Sequence, residues 1–145
     1  MHINCISRNL AFQVARDFVL PDSLQKVTWE DIVGQDEVKE SLKETLILPF
    51  KFPELFQKSG LKHGKEAILL AGPPGTGKTT LAKVVAQECQ MAFLNVSGSS
   101  LTSKWRGESE KLMRVLFEIA EHNSPCIIFM DEIDAILGDR GKQKT

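Results

Sequence analysis

The residues Gly72-Pro73-Pro74-Gly75-Thr76-Gly77-Lys78-Thr79 stand in an order suited to one kind of chemistry, the capture of linked phosphates. They satisfy G-x-x-x-x-G-K-[ST] in full. Glycines let neighbouring backbone N–H groups turn inward toward an anion, and a helix that begins directly after them adds its positive end. Lys78 is a point charge for β- and γ-phosphates, and the Thr79 hydroxyl is an oxygen ligand suited to Mg2+. A Gly/Pro-rich turn carrying Lys-Thr by chance would have the same composition, so the flanks decide. Before the loop, the apolar run Ala67-Ile68-Leu69-Leu70-Ala71 predicts a buried strand. After it, Thr80 to Gln87 carries Leu81, Val84 and Val85 at helical spacing. Strand, glycine loop and helix in that order imply a nucleoside triphosphate site.

A second constellation lies downstream. Cys126-Ile127-Ile128-Phe129-Met130 is an apolar run of the kind buried on both faces of a parallel sheet, and it delivers Asp131 and Glu132 at its C-terminal end. Asp131 is placed to hold Mg2+ through water, and Glu132 to act as general base on a water aimed at the γ-phosphate. Acid pairs also occur at helix starts, where they favour the dipole; Asp134 is read that way. The Asn-Lys-x-Asp element that reads guanine is absent from the sequence, which favours ATP. Ser103-Lys104-Trp105-Arg106-Gly107-Glu108 is a third signal, an indole between two cations followed by glycine. Trp105 by itself reads first as a core anchor with Lys104 and Arg106 solvated, and second as an aromatic grip with a positive rim.

The elements that must position these groups alternate. Residues 10–19 space Leu10, Val14 and Phe18 as an amphipathic helix, and Pro21-Asp22-Ser23 breaks it, so residues 1–25 read as a linker and 26–145 as the domain. Helical spacing resumes over 35–47 through Val38, Leu42 and Leu46, leaving Glu37, Lys39, Glu40, Lys43 and Glu44 in water. Pro49 should end that helix, and Pro53 should open a turn that carries Leu55 and Phe56 inward. Ala92 to Val96 predicts a second strand, Ser97-Gly98-Ser99-Ser100 a loop, and residues 108–122 a helix with Leu112, Leu116 and Ile119 along one stripe. Strands alternating with helices predict an α/β fold, a parallel sheet with flanking helices.

Bulk properties set bounds. A chain of 145 residues with 42% hydrophobic and 26% charged residues suits one globular domain. A net charge of -1 gives no overall attraction to nucleic acid or anionic membrane. Cys5, Cys89 and Cys126 are far apart and lack metal-ligand spacing, as reduced thiols of an intracellular protein would. No apolar run reaches spanning length, so membrane insertion is not expected and a cytoplasmic location is.

From Val27 to Gly141 the chain resembles the AAA branch of the P-loop ATPases. Leu101 to Lys111, followed by Leu116-Phe117-Glu118, is similar to the meiotic clade that includes katanin, spastin, fidgetin and the ESCRT-disassembling ATPases, and is nearest to katanin catalytic subunits. The resemblance implies ATP and Mg2+ as cofactors, with Gly72, Pro73, Pro74, Gly75, Thr76, Gly77, Lys78, Thr79 and Thr80 around the phosphates. It implies that backbone at Ile32, Val33 and Gly34 contacts the base, that Thr79 and Asp131 serve the metal, and that Lys78, Asp131 and Glu132 are catalytic. It further implies hexameric partners of the same family, with Lys104, Trp105, Arg106 and Gly107 as a pore loop gripping acidic peptide tails such as those of tubulin. Microtubule severing at the cytoskeleton is the implied activity; disassembly of an ESCRT polymer, or nucleotide binding without turnover, are the alternatives. Ala67 departs from the glycine usual in the clade. The family's next strand, its sensor, its arginines and its helical lid would follow Thr145, so residues 67–71 and 126–130 are expected to lack the strand between them. The chain is accordingly expected to be a fragment, unstable or inactive alone.

Overall fold

A computed structural model describes residues 14–57, 67–99 and 109–138. They form two compact units, one of residues 14–23 with 91–138 and one within 24–90.

In the first unit, β2 (Ala92–Ser97) and β3 (Cys126–Asp131) are parallel, in register from Ala92↔Cys126 to Ser97↔Asp131. The helix α5 (Ser109–His122) lies between them in sequence, so the three make the βαβ unit that the alternation predicts. Of its predicted stripe Leu112 and Leu116 are buried and Ile119 half-buried, with Ala120 buried beside them. Leu112 and Leu116 pack with Val14, Leu94 and Val96, and Ile128 and Met130 of β3 close the same core. On the opposite face of the sheet Phe93 stacks on Phe129, ring centroids 6.2 Å apart.

Two expectations change here. The helix read over 10–19 is present only at 14–16 among the described residues and stops at Asp17. Phe18–Val19 instead form β1, antiparallel to β2 through Phe18↔Leu94 and Val19↔Phe93. Both residues are strong strand formers, and the ladder satisfies backbone groups that a frayed helix end leaves open. β3 is half-buried rather than buried on both faces. It is an edge strand of the described sheet, whose order is β1-β2-β3.

In the second unit, α1 (Asp36–Leu42) runs into a π-helical segment (Lys43–Ile47), then α2 (Leu48–Lys51) and α3 (Pro53–Gln57). Pro49 does not end the helix. It sits in the first turn of α2, after the π segment, where the Leu48 N–H reaches back to the Lys43 carbonyl. The wider turn accommodates a residue that has no N–H to give. Leu55 is 70% exposed, so only Phe56 of that pair turns partly inward. α4 (Lys78–Glu88) buries Leu81, Val84, Val85 and Ala86. It packs on the π segment and on the 3-10 turn at Trp29–Asp31. Residues 67–71, expected as a buried strand, have no ladder among the described residues, and Leu69 is 78% exposed. An apolar run becomes a strand only when a neighbour supplies hydrogen bonds.

Candidate functional site

The phosphate loop owes its path to two glycines. Gly75 and Gly77 have φ of 80° and 83°, left-handed values that cost other residues about 1–2 kcal/mol. Gly77 also caps α4, accepting the Leu81 N–H at 2.8 Å. The Thr76 hydroxyl donates to the Pro73 carbonyl at 2.9 Å and holds the loop's far side. Lys78 folds back over the loop, its ammonium 2.5 Å from the Gly72 carbonyl and 3.3 Å from that of Pro73. These partners are two neutral carbonyls; phosphate oxygens would be stronger, charge-assisted ones. The Gly72–Thr79 loop contains no carboxylate. Amides, an ammonium and hydroxyls beside an 11-residue helix start form a donor set that fits polyphosphate.

Ile32 to Gly34, expected on the base side, belong to the same unit as the loop. Ile32 is 4% exposed and its Cγ2 lies 3.9 Å from where a Cβ on Gly77 would stand, so this side chain packs against the loop. Val33 is 91% exposed and Gly34 has φ of 70°. Two residues that sequence reasoning missed brace the arrangement. Gln35 Nε2 donates to the Thr76 carbonyl at 2.6 Å, across 41 residues of sequence. Lys39, expected in water, has a side chain only 14% exposed and donates to the Ile32 carbonyl at 2.7 Å. No local motif announces either contact, because both depend on where α1 packs.

Asp131 and Glu132 lie at the C-terminal end of β3, in the other unit. Ser97, paired with Asp131 in the ladder, donates its hydroxyl to Glu132 Oε2 at 3.1 Å. Hydrogen bonds from Ser99 and then Ser97 hold the Glu132 carboxyl below the ordinary carboxylate range, keeping it ionised as a base must be. The Glu132 N–H donates to Asp131 Oδ1 at 2.9 Å. Gly98 makes the approach possible, since a Cβ there would strike the Glu132 carbonyl. Sequence reasoning leaves Ser97 and Ser99 as loop; their place at the end of a strand parallel to β3 is the signal that could have found them. Asp134 lies in the first turn of α6 (Ile133–Gly138), as a helix-start charge would. Thr79, in the first turn of α4, carries a hydroxyl, and Asp131, in the other unit, a carboxylate; each is a hard oxygen donor of the kind Mg2+ takes. Lys104, Trp105, Arg106 and Gly107 lie outside the described residues.

Comparison with known proteins decides the family. The model of the ATPase family associated with various cellular activities (AAA) matches residues 68–145, more than half of the chain. The chain belongs to the AAA family. It is 46% identical over 138 residues to the katanin p60 A-like 2 ATPase of Xenopus laevis, covering 95% of this chain and 26% of that protein. To spastin of Drosophila melanogaster it is 52% identical over 119 residues, 82% of this chain and 15% of that one. The FIGL-1 AAA domain, solved in complex with ADP, matches with a TM-score of 0.77 at 40% identity, over 92% of this chain and 44% of that one. A structure described as the structural basis for katanin self-assembly matches with the same score at 41% identity and the same two coverages. This AAA chain therefore spans about a quarter of its katanin-like relative's length and less of spastin's.

Proposed function

We propose that this chain binds ATP with Mg2+ and carries the hydrolytic residues of an AAA mechanoenzyme of the microtubule-severing type. The observation that carries the reading is the phosphate loop, with glycines in left-handed conformations and Lys78 donating to the loop's Gly72 and Pro73 carbonyls among the described residues. Residues Gly72 to Thr80 hold the phosphates, and Lys78 exchanges its carbonyl partners for phosphate oxygens. Ile32 to Gly34 offer backbone to the base. Thr79 and Asp131 serve the metal, which supplies charge neutralisation at the phosphates when bound. Glu132, kept ionised by Ser97 and Ser99, accepts the proton of the attacking water.

A relative solved with ADP supports an adenine nucleotide, and relatives named katanin-like and spastin support a microtubule substrate. The self-assembly described for katanin supports further AAA protomers as partners, a hexamer with Lys104, Trp105, Arg106 and Gly107 gripping acidic tubulin tails in its pore. No helix among the described residues is long and apolar enough to cross a membrane, and a place at the cytoskeleton suits the reading.

Steady-state phosphate release tests it. Glu132→Gln should lower turnover by about 10²–10⁴-fold, the usual worth of a general base, while ATP affinity stays within about threefold. Unchanged turnover would remove Glu132 from its role.

A further inference from the structure

We propose that Gln35 and Lys39 are positioning residues of the nucleotide site, each fixing one peptide plane so that the next amide is presented to the ligand. The inference rests on the nucleotide reading above. A trans peptide is planar, so its carbonyl and the N–H that follows point in opposite directions. Gln35 holds the Thr76 carbonyl at 2.6 Å, which turns the Gly77 N–H away from α1 and leaves it for an anion. Lys39 holds the Ile32 carbonyl at 2.7 Å and so sets the direction of the Val33 N–H, on the segment read as the base side.

Both residues adopt states that need a reason. Gln35 caps α1 at φ of 60°, a conformation a non-glycine residue keeps only where its surroundings hold it. Lysines ordinarily leave their ammonium in water. Lys39 does not; its side chain is 14% exposed, it points at a neutral carbonyl, and its nearest carboxylate, on Asp36, is 4.0 Å away. The Lys39 N–H donates to the Gln35 carbonyl at 3.0 Å, so one helical turn carries both braces. Phosphate loop and base-side segment, 41 residues apart at the Gln35–Thr76 contact, are thereby tied to a single rigid element. Without these braces each peptide plane is free to rotate, and binding must then order it.

The two braces act on different parts of the ligand, which gives them separate signatures. ADP and inorganic tripolyphosphate are titrated into the full chain and its variants. Gln35→Met, similar in length but without a donor, should weaken both probes by about tenfold, the worth of one well-placed hydrogen bond. Lys39→Met should weaken ADP by about tenfold and tripolyphosphate by less than about threefold, and Lys39→Arg should restore ADP binding. A purely structural role would lower the melting temperature in step with the loss of binding; a positioning role predicts a melting temperature near wild type in Gln35→Met and unequal losses of the two probes in Lys39→Met. Wild-type affinity for both probes in Gln35→Met, or equal losses of the two in Lys39→Met, overturns the proposal. Should Gln35→Met not fold, Gln35→Lys keeps a donor within reach; binding near wild type is expected and its loss overturns the proposal. Wild-type protein that takes up neither probe overturns the nucleotide reading itself, and this inference with it.

Discussion

Lys78 and Gly77 show how single residues carry the site. Lys78→Ala removes a charge-assisted contact worth about 1.5–3 kcal/mol and should raise the dissociation constant for ATP about 10–100-fold in a calorimetric titration. Gly77→Ala isolates a different effect. A methyl group there stands 3.9 Å from Ile32, an ordinary contact, so the penalty comes from the φ of 83° and not from crowding. A loss of about 1–2 kcal/mol in denaturant unfolding is expected. Cys89 offers a third reading, because burial pushes its thiol up and leaves it 6% exposed. Native alkylation of Cys89, followed by peptide mapping, should be slow and should accelerate on unfolding. The path of the loop was legible at this scale because G-x-x-x-x-G-K-[ST] puts glycines where left-handed φ is needed and a lysine directly after them. Gln35, Lys39, Ser97 and Ser99 were not, since an amide, an ammonium or a hydroxyl gains its meaning only from a carbonyl or carboxylate brought to it from far along the chain.

Among the elements, α5, β2 and β3 lie close to their predicted spans, although β3 is half-buried, and the core of this unit depends on the α5 stripe. Leu116 is 1% exposed against the sheet, so Leu116→Ala should cost about 2–5 kcal/mol, a large share of a domain's usual 5–15 kcal/mol. The melting temperature should fall by several degrees or the fold should be lost. Elements whose form depends on partners were less legible. Phe18 and Val19 fit a helical stripe as well as a strand, and their pairing with β2 decides the matter. Pro49 has the same breaker chemistry wherever it stands, yet the π segment before it absorbs the break. Residues 67–70 have strand composition and no ladder, the converse case.

For the molecule as a whole, charge and exposed surface point to different behaviour. A net charge of -1 supplies little repulsion between copies, while Leu69 and Ile68 stand 78% and 42% exposed on a segment without a ladder. Their amides should exchange with deuterium far faster than those of β2, and Leu69→Lys should reduce concentration-dependent association measured by light scattering. The candidate site residues fall in both units, the loop in one and the acids at the end of β3 in the other. The central claim is that the Gly72–Thr79 loop takes up an adenine triphosphate. Titration of the full chain with ATP and magnesium, beside Lys78→Ala, is the direct test. Saturable one-to-one binding in the wild type, weakened in the variant, is the predicted result; equal affinity in the two proteins, or no saturable binding by folded wild type, would contradict it.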